Sequence, residues 1–134
     1  MSIQIVIMTH GKAGEALVES SKMIVGDKVE VKCLSLMPGM AMETLMIQAK
    51  EITQEAEETL FLVDLYGGTP SNVALALTGV VKAKCVSGLN LGMLMETLIV
   101  LESNPEISLD QLQGIAFQAG SQAVKQYDYK ELGG

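Results

Sequence analysis

The chain has one histidine, His10, and it ends an apolar run in the segment IQIVIMTHGKAG. A neutral imidazole is the side chain best suited to offer a nitrogen nucleophile near neutral pH. Much later a second apolar run, LFLV, ends in a carboxylate, Asp64, and LYGGTPSN follows without a break. A carboxylate at the end of a buried strand is costly unless a partner compensates its desolvation, and an imidazole is a natural one. If Asp64 accepts a hydrogen bond from one ring nitrogen of His10, it fixes the tautomer and leaves the other nitrogen free to attack. Gly67 and Gly68 allow positive φ and expose backbone N–H groups, Thr69 is an N-cap type, and Pro70 suits the first helical position. They describe a helix N-terminus, a ready site for a phosphate or another anion. Each feature has a plainer reading: a structural histidine, a carboxylate that caps a loop, a strand-to-helix turn. Together they describe a phosphohistidine site.

These residues meet only if the intervening elements bring them together. Ile3 to Met8 is short, apolar and β-branched, which suits a strand covered on both faces. Ala13, Ala16, Leu17, Met23 and Ile24 have helical spacing, and that helix stops at Gly26. In Val29 to Leu36, Val29, Val31 and Cys33 alternate with Glu30 and Lys32, as in a half-exposed strand. A helix is predicted over Met40 to Glu58, a second strand, apolar without alternation until Asp64, over Leu60 to Leu65, and a third helix over Pro70 to Val81. Lys82 to Gly88 alternates again, LGMLMETLIVLES forms a fourth helix, and Ser108 caps a fifth from Leu109 to about Gln126. The pattern is that of an α/β domain, doubly wound, with a mainly parallel sheet flanked by helices. The two fully apolar strands belong in the centre and the alternating ones at the edges, so right-handed crossovers give the order 2-1-3-4. Ligands of such sheets bind outside the carboxyl ends of the strands where the winding reverses, and His10 and Asp64 flank that point. The tail YDYKELGG has enough tyrosine to add a fifth, antiparallel edge strand or to dock on a partner. No repeat, low-complexity segment or linker divides residues 1–134, so one domain is expected.

Composition removes several function classes. Nine Lys and Arg against sixteen Asp and Glu give a net charge of −7 with no basic run, which argues against nucleic-acid binding. No apolar stretch approaches the roughly 20 residues needed to span a bilayer. The N-terminus lacks the charged region of a secretory signal, so a cytoplasmic location is expected. Cys33 and Cys85 are far apart with no CxxC, and are expected to be buried free thiols without a metal. There is no GxxxxGK[ST], no GxGxxG after the first strand and no carboxylate cluster for Mg²⁺. No cofactor is therefore expected, and a phosphoryl group on His10 would come from another protein.

MTHG, LFLVDLYGGTPSN and SGLNLGMLMETL together resemble the IIA domain of the mannose class (mannose, fructose, sorbose) of the bacterial sugar phosphotransferase system, collinearly over nearly the whole chain. The resemblance implies that His10 takes a phosphoryl group from the phosphocarrier HPr and passes it to a IIB domain, which phosphorylates the sugar that the membrane components IIC and IID import. It makes Asp64 the orienting carboxylate and gives Gly67, Gly68 and the Thr69 hydroxyl the phosphoryl group to hold, with Gly11, Tyr66, Ser71 and Asn72 as partner contacts. It also implies a homodimer that exchanges a C-terminal strand, a part for Tyr127 to Leu132. Gly92 stands where the family often has proline, which predicts a looser loop there. No fused IIB domain is expected after the fifth helix, and the acceptor is expected to be a separate polypeptide. Two alternatives share parts of this pattern. The phosphocarrier subunit of a dihydroxyacetone kinase resembles this chain in fold and histidine, but has HS in place of THG and an MGS-like run in place of YGGTPSN. A non-catalytic regulatory module would bind an anion in the same crevice and leave His10 unmodified.

Overall fold

Strand β1, Ile3–His10, is buried from end to end except at its last residue, because helices cover it on both faces. In the computed structural model, which describes residues 2–130, it is followed by α1 (Ala13–Val25), β2 (Val31–Leu36), α2 (Met42–Thr53) and β3 (Glu58–Val63). The chain continues through α3 (Thr69–Thr78), β4 (Ala83–Ser87), α4 (Leu91–Ser103) and α5 (Leu109–Gln122). The strands form one parallel sheet in the order β2-β1-β3-β4, with winding reversed between β1 and β3. The apolar strands take the centre and the alternating ones the edges, as the sequence predicts.

Successive side chains of a strand point to opposite faces, and the two central strands feed two separate cores. Ile3, Ile5, Ile7, Leu60 and Leu62 pack with Leu94, Leu98, Leu112 and Ala116 beneath α1, α4 and α5. Val6, Met8, Phe61 and Val63 pack with Leu45, Ala49, Val73, Ala74 and Leu77 beneath α2 and α3. This period of two continues into the last residues of β1 and decides which way the side chains of Thr9 and His10 leave the sheet.

Several boundaries differ from the sequence expectation. The second helix ends at Thr53, not Glu58, because Glu58 and Thr59 join β3, where their amides donate to Ser2 O and Lys82 O and Gln4 Nε2 donates to the buried Thr59 hydroxyl. The third helix ends at Thr78 with Gly79 as its cap, and the fifth at Gln122 rather than near Gln126. Gly92 lies in the first turn of α4, not in a loose loop, and an added Cβ would come within 2.8 Å of the Ala123 Cβ. A fifth strand is not formed among the described residues: the tail after α5 is irregular through residue 130, with Tyr127 and Tyr129 exposed, and positions 131 and 132 of the proposed strand lie outside the described residues. Cys33 and Cys85 are free but only partly buried, each packed against one of the two cores. Burial pushes the Cys85 thiol up to about 11, and burial aided by the Glu15 carboxylate raises that of Cys33, so both stay protonated at neutral pH.

Helix α1 lies close against β1 at Gly14, where an added Cβ would be 2.5 Å from Ile7 Cγ2 and 3.3 Å from the Thr9 side chain. Ile7 is fully buried and β-branched, so it has little room to yield. Gly14→Ala is therefore expected to cost about 1–3 kcal/mol through overpacking. Gly114→Ala, on the outer side of α5 with nothing within 4 Å of the added Cβ, is expected to gain about 0.5–1 kcal/mol from helix propensity and reduced chain entropy. Urea titrations of the two variants should move in opposite directions; a stabilised Gly14→Ala protein would contradict the packing described.

Candidate functional site

Asp64 follows the last residue of β3 at the level where β1 runs out of ladder partners. Met8 is the last residue of β1 in register with β3, opposite Val63. Beyond it the Asp64 carboxylate takes the place of a strand carbonyl: its Oδ2 accepts the backbone N–H of His10 at 2.9 Å and lies 3.0 Å from the same residue's Nδ1. A carboxylate can only accept, so the contact assigns the ring proton to Nδ1 and leaves a lone pair on Nε2. One oxygen thus holds His10 by both its backbone and its ring. The other oxygen, Oδ1, is buried and has no hydrogen-bond partner among the described residues. The imidazole is more open than its partner, with 47% of the His10 side chain exposed against 26% for Asp64.

The outer side of the ring meets the start of α3. Gly67 has φ +86°, a left-handed conformation that glycine adopts without strain, and it turns the chain from β3 toward the helix. Gly68 has φ −77° and ψ 173°, so it is extended rather than left-handed, and serves another purpose. A Cβ on Gly68 would sit 2.8 Å from His10 Cε1 and 3.3 Å from Nε2. The absent side chain is what lets the helix end approach the ring. Gly68 is also the N-cap of α3, with Thr69 and Pro70 the first two helical residues, which corrects the expectation of Thr69 as N-cap. No side chain caps this helix. Of its first amides, that of Asn72 bonds to Gly68 O at 2.9 Å and Pro70 has none, while those of Thr69 and Ser71 have no intrahelical acceptor. The start of α3, at Gly68, and with it the positive end of the helix dipole therefore stand beside Nε2, where they favour an anion.

Other predicted positions are distributed around this centre. Gly11, at φ +58°, makes the turn after His10; its N–H donates to Leu36 O at 2.8 Å. Tyr66 is 84% exposed on the rim. Asn72 reaches Gly67 O at 3.5 Å through Nδ2 and is otherwise exposed. Ser71 is buried, at 8% exposure, which leaves little of it for a protein partner to touch. With Tyr66, Leu75, Cys85 and Phe117, it lines a cavity of about 530 Å³ between α3, α5 and the free side of β4. His10 does not line that cavity. Among the described residues no group of His, Cys, Asp and Glu could hold a metal ion.

Sequence reasoning passed over Thr9. Its side chain leaves the sheet on the face opposite His10 and is fully buried, with the hydroxyl donating to Gly11 O and accepting the Gly14 N–H, both at 3.0 Å. The only signal was a lone threonine among aliphatic strand residues, directly before the histidine.

The match to a family of PTS system fructose IIA components extends over residues 4–111. A mannose-specific EIIAB component of the phosphotransferase system from Escherichia coli K12 is 36% identical over 130 residues, which cover 93% of this chain and 39% of that protein. The chain thus spans about two fifths of the length of that relative. A fructose-specific EIIA component from Bacillus subtilis 168 is 36% identical over 104 residues, 75% of this chain and 71% of that protein. Among solved structures, a mannose/sorbose-specific IIA subunit from Enterococcus faecalis superposes with a TM-score of 0.86 at 30% identity, covering 96% of each chain. A Streptococcus agalactiae EIIA component gives a TM-score of 0.83 at 30% identity. The chain belongs to the IIA components of the mannose/fructose/sorbose class of the sugar phosphotransferase system.

Proposed function

We propose that this chain is a IIA-type phosphoryl carrier domain over residues 1–134 that accepts a phosphoryl group on Nε2 of His10. The observation that carries the reading is the pairing of Nδ1 with Asp64 Oδ2 on one side of the ring and the uncapped start of α3 on the other. The Nε2 lone pair attacks phosphorus, the bond to the donor breaks, and the donor's leaving group keeps the electron pair. The ring then carries both the N–P bond and the Nδ1 proton, so it becomes cationic beside an anionic Asp64. Much of the carboxylate's desolvation, including that of the unpartnered Oδ1, is then offset by a charge it does not have in the free state. The phosphoryl oxygens meet the amides of Thr69 and Ser71 and the Thr69 hydroxyl, with Gly67 and Gly68 keeping the approach open.

The donor is HPr and the acceptor a IIB protein, which serves IIC and IID components in sugar import. The relatives' names support a place in such a relay, since one joins IIA and IIB in a single EIIAB protein. No helix among the described residues is long and apolar enough to cross a membrane, and the carrier works at the cytoplasmic face beside its permease. Gly11, Tyr66 and Asn72 form the rim that donor and acceptor both touch. The protein works as a homodimer. Supporting this are the free outer side of β4, the largely apolar cavity next to it, and the exposed Val124, Tyr127 and Tyr129 of a tail whose described residues form no strand. A C-terminal segment of a second copy, laid against β4, would pair that edge and cover the apolar lining.

Incubation with phosphoenolpyruvate, the general phosphotransferase components and HPr should give an acid-labile, base-stable phosphoprotein. His10→Ala should take no label, and a labelled His10→Ala protein would end the reading. Asp64→Asn should still fold but transfer slower by about two to four orders of magnitude, since it loses the charge that orients the ring and balances the cation. Gly68→Ala should keep native circular dichroism yet label about tenfold or more slowly, because the new methyl displaces the ring from Asp64; labelling at the wild-type rate would show that the close approach is irrelevant. By sedimentation the protein should be a dimer, and removal of residues 124–134 should leave monomers; an unchanged dimer would exclude strand exchange.

A further inference from the structure

Of the groups around His10 that the proposed transfer does not use, one is both fully buried and completely engaged at the turn that carries the histidine: the hydroxyl of Thr9. It donates to Gly11 O and accepts from the Gly14 N–H, each at 3.0 Å. Gly11 is thereby held at both ends, since its own N–H donates to Leu36 O at 2.8 Å on β2. The tie to Gly14 also satisfies an early amide of α1, a helix with no capping side chain of its own at Lys12. One hydroxyl closes the loop between the end of β1 and the start of α1, with His10 inside the closed segment.

The geometry points to Thr9 as a positioning residue for His10, acting through the backbone from the opposite face of the sheet. The inference rests on His10 being the phosphoryl acceptor. Its reasoning is mechanical. Gly11 is left-handed, at φ +58°, a conformation that local tethers must select against the others open to glycine. If the Thr9 hydroxyl is lost, the Gly11–Lys12 peptide can rotate and the Thr9–His10 peptide, whose N–H points at Asp64, is no longer tied to the start of α1. His10 N–H and Nδ1 share a single acceptor, Asp64 Oδ2, at 2.9 and 3.0 Å. A rotation that re-aims the backbone N–H therefore also moves the ring, and Nε2 loses its alignment with the start of α3. Valine has nearly the shape of threonine but no hydroxyl, and leaves the Gly14 N–H and Gly11 O without their partner. Serine keeps the hydroxyl and drops the methyl.

The test pairs two measurements on the intact chain. Nitrogen-15 shifts of the His10 ring report the fraction protonated at Nδ1 and need no donor. Steady-state transfer from phosphorylated HPr gives kcat and KM separately. Thr9→Val is expected to lower the Nδ1–H fraction and reduce kcat by about 10- to 100-fold with KM for the donor unchanged, and Thr9→Ser to restore both. Wild-type shifts and kcat in a folded Thr9→Val protein would overturn the assignment, as would a Thr9→Ser protein as slow as Thr9→Val. If valine prevents folding, Thr9→Cys, whose thiol bonds weakly, should fall between serine and valine in tautomer fraction and kcat, and a wild-type value of either would overturn the assignment. A wild-type protein that takes no phosphoryl group would instead overturn the carrier reading, while the donor-free shifts still judge the link between Thr9 and the ring.

Discussion

The double hydrogen bond from His10 to one oxygen of Asp64 is the contact on which the site depends. It joins the ends of the two central strands, so it exists only if β1 and β3 are neighbours in parallel register. It also makes the position of the ring a property of the sheet rather than of a loop. A histidine on a free loop would have to be ordered at the moment of reaction; here the ordering is done when the chain folds. The buried cores on either side of β1 and β3 keep those strands from sliding, since a shift of one residue would turn every aliphatic side chain to the wrong face.

The same alternation distributes the labour around the site. Ile7 and Met8 feed opposite cores, and in the next two residues Thr9 turns toward α1 while His10 turns toward α3. One face then holds the backbone and the other presents the reactive group. Glycines stand where each helix comes closest, Gly14 against Ile7 and Gly68 against His10, and in both cases the missing side chain sets the distance between a helix and a strand. The conformational freedom of glycine matters at Gly11 and Gly67, in the turns that follow the two central strands.

The sheet order was legible because it follows from a simple contrast: strands covered on both faces are apolar throughout, and edge strands alternate. The placement of His10 and Asp64 was legible for the same reason, as both end apolar runs. Helix ends were less so. Gln54 to Thr59 has no residue that forbids a helix, and it is the tertiary pairing of Glu58 and Thr59 with neighbouring strands that ends the helix early and starts β3. Thr69 has the right chemistry for an N-cap, yet the cap falls on Gly68 because only a residue without Cβ fits beside the imidazole. Local preference gave way to a contact whose other half lies in another strand. Ser71 shows the same limit, because a polar residue in a glycine-rich loop reads as exposed while the fold turns it toward a cavity.

Asp64 is held imperfectly, and the imperfection has a direction. Its Oδ2 receives two hydrogens while its buried Oδ1 receives none, so the carboxylate keeps unspent capacity for positive charge. A neutral ring uses little of that capacity and a cationic ring uses more. If His10 is phosphorylated as proposed, the pair is better matched to that state than to the free ring. At the same time the amides at the start of α3 favour negative charge next to Nε2. In the proposed transfer the N–P bond makes the ring cationic and brings an already anionic phosphoryl group to the helix end, so each charge would meet a partner that was in place beforehand. The proposed carrier would also have to release what it takes, and the openness of the ring suits that role. With half of the His10 side chain in contact with solvent, donor and acceptor can reach the same nitrogen without the sheet having to move.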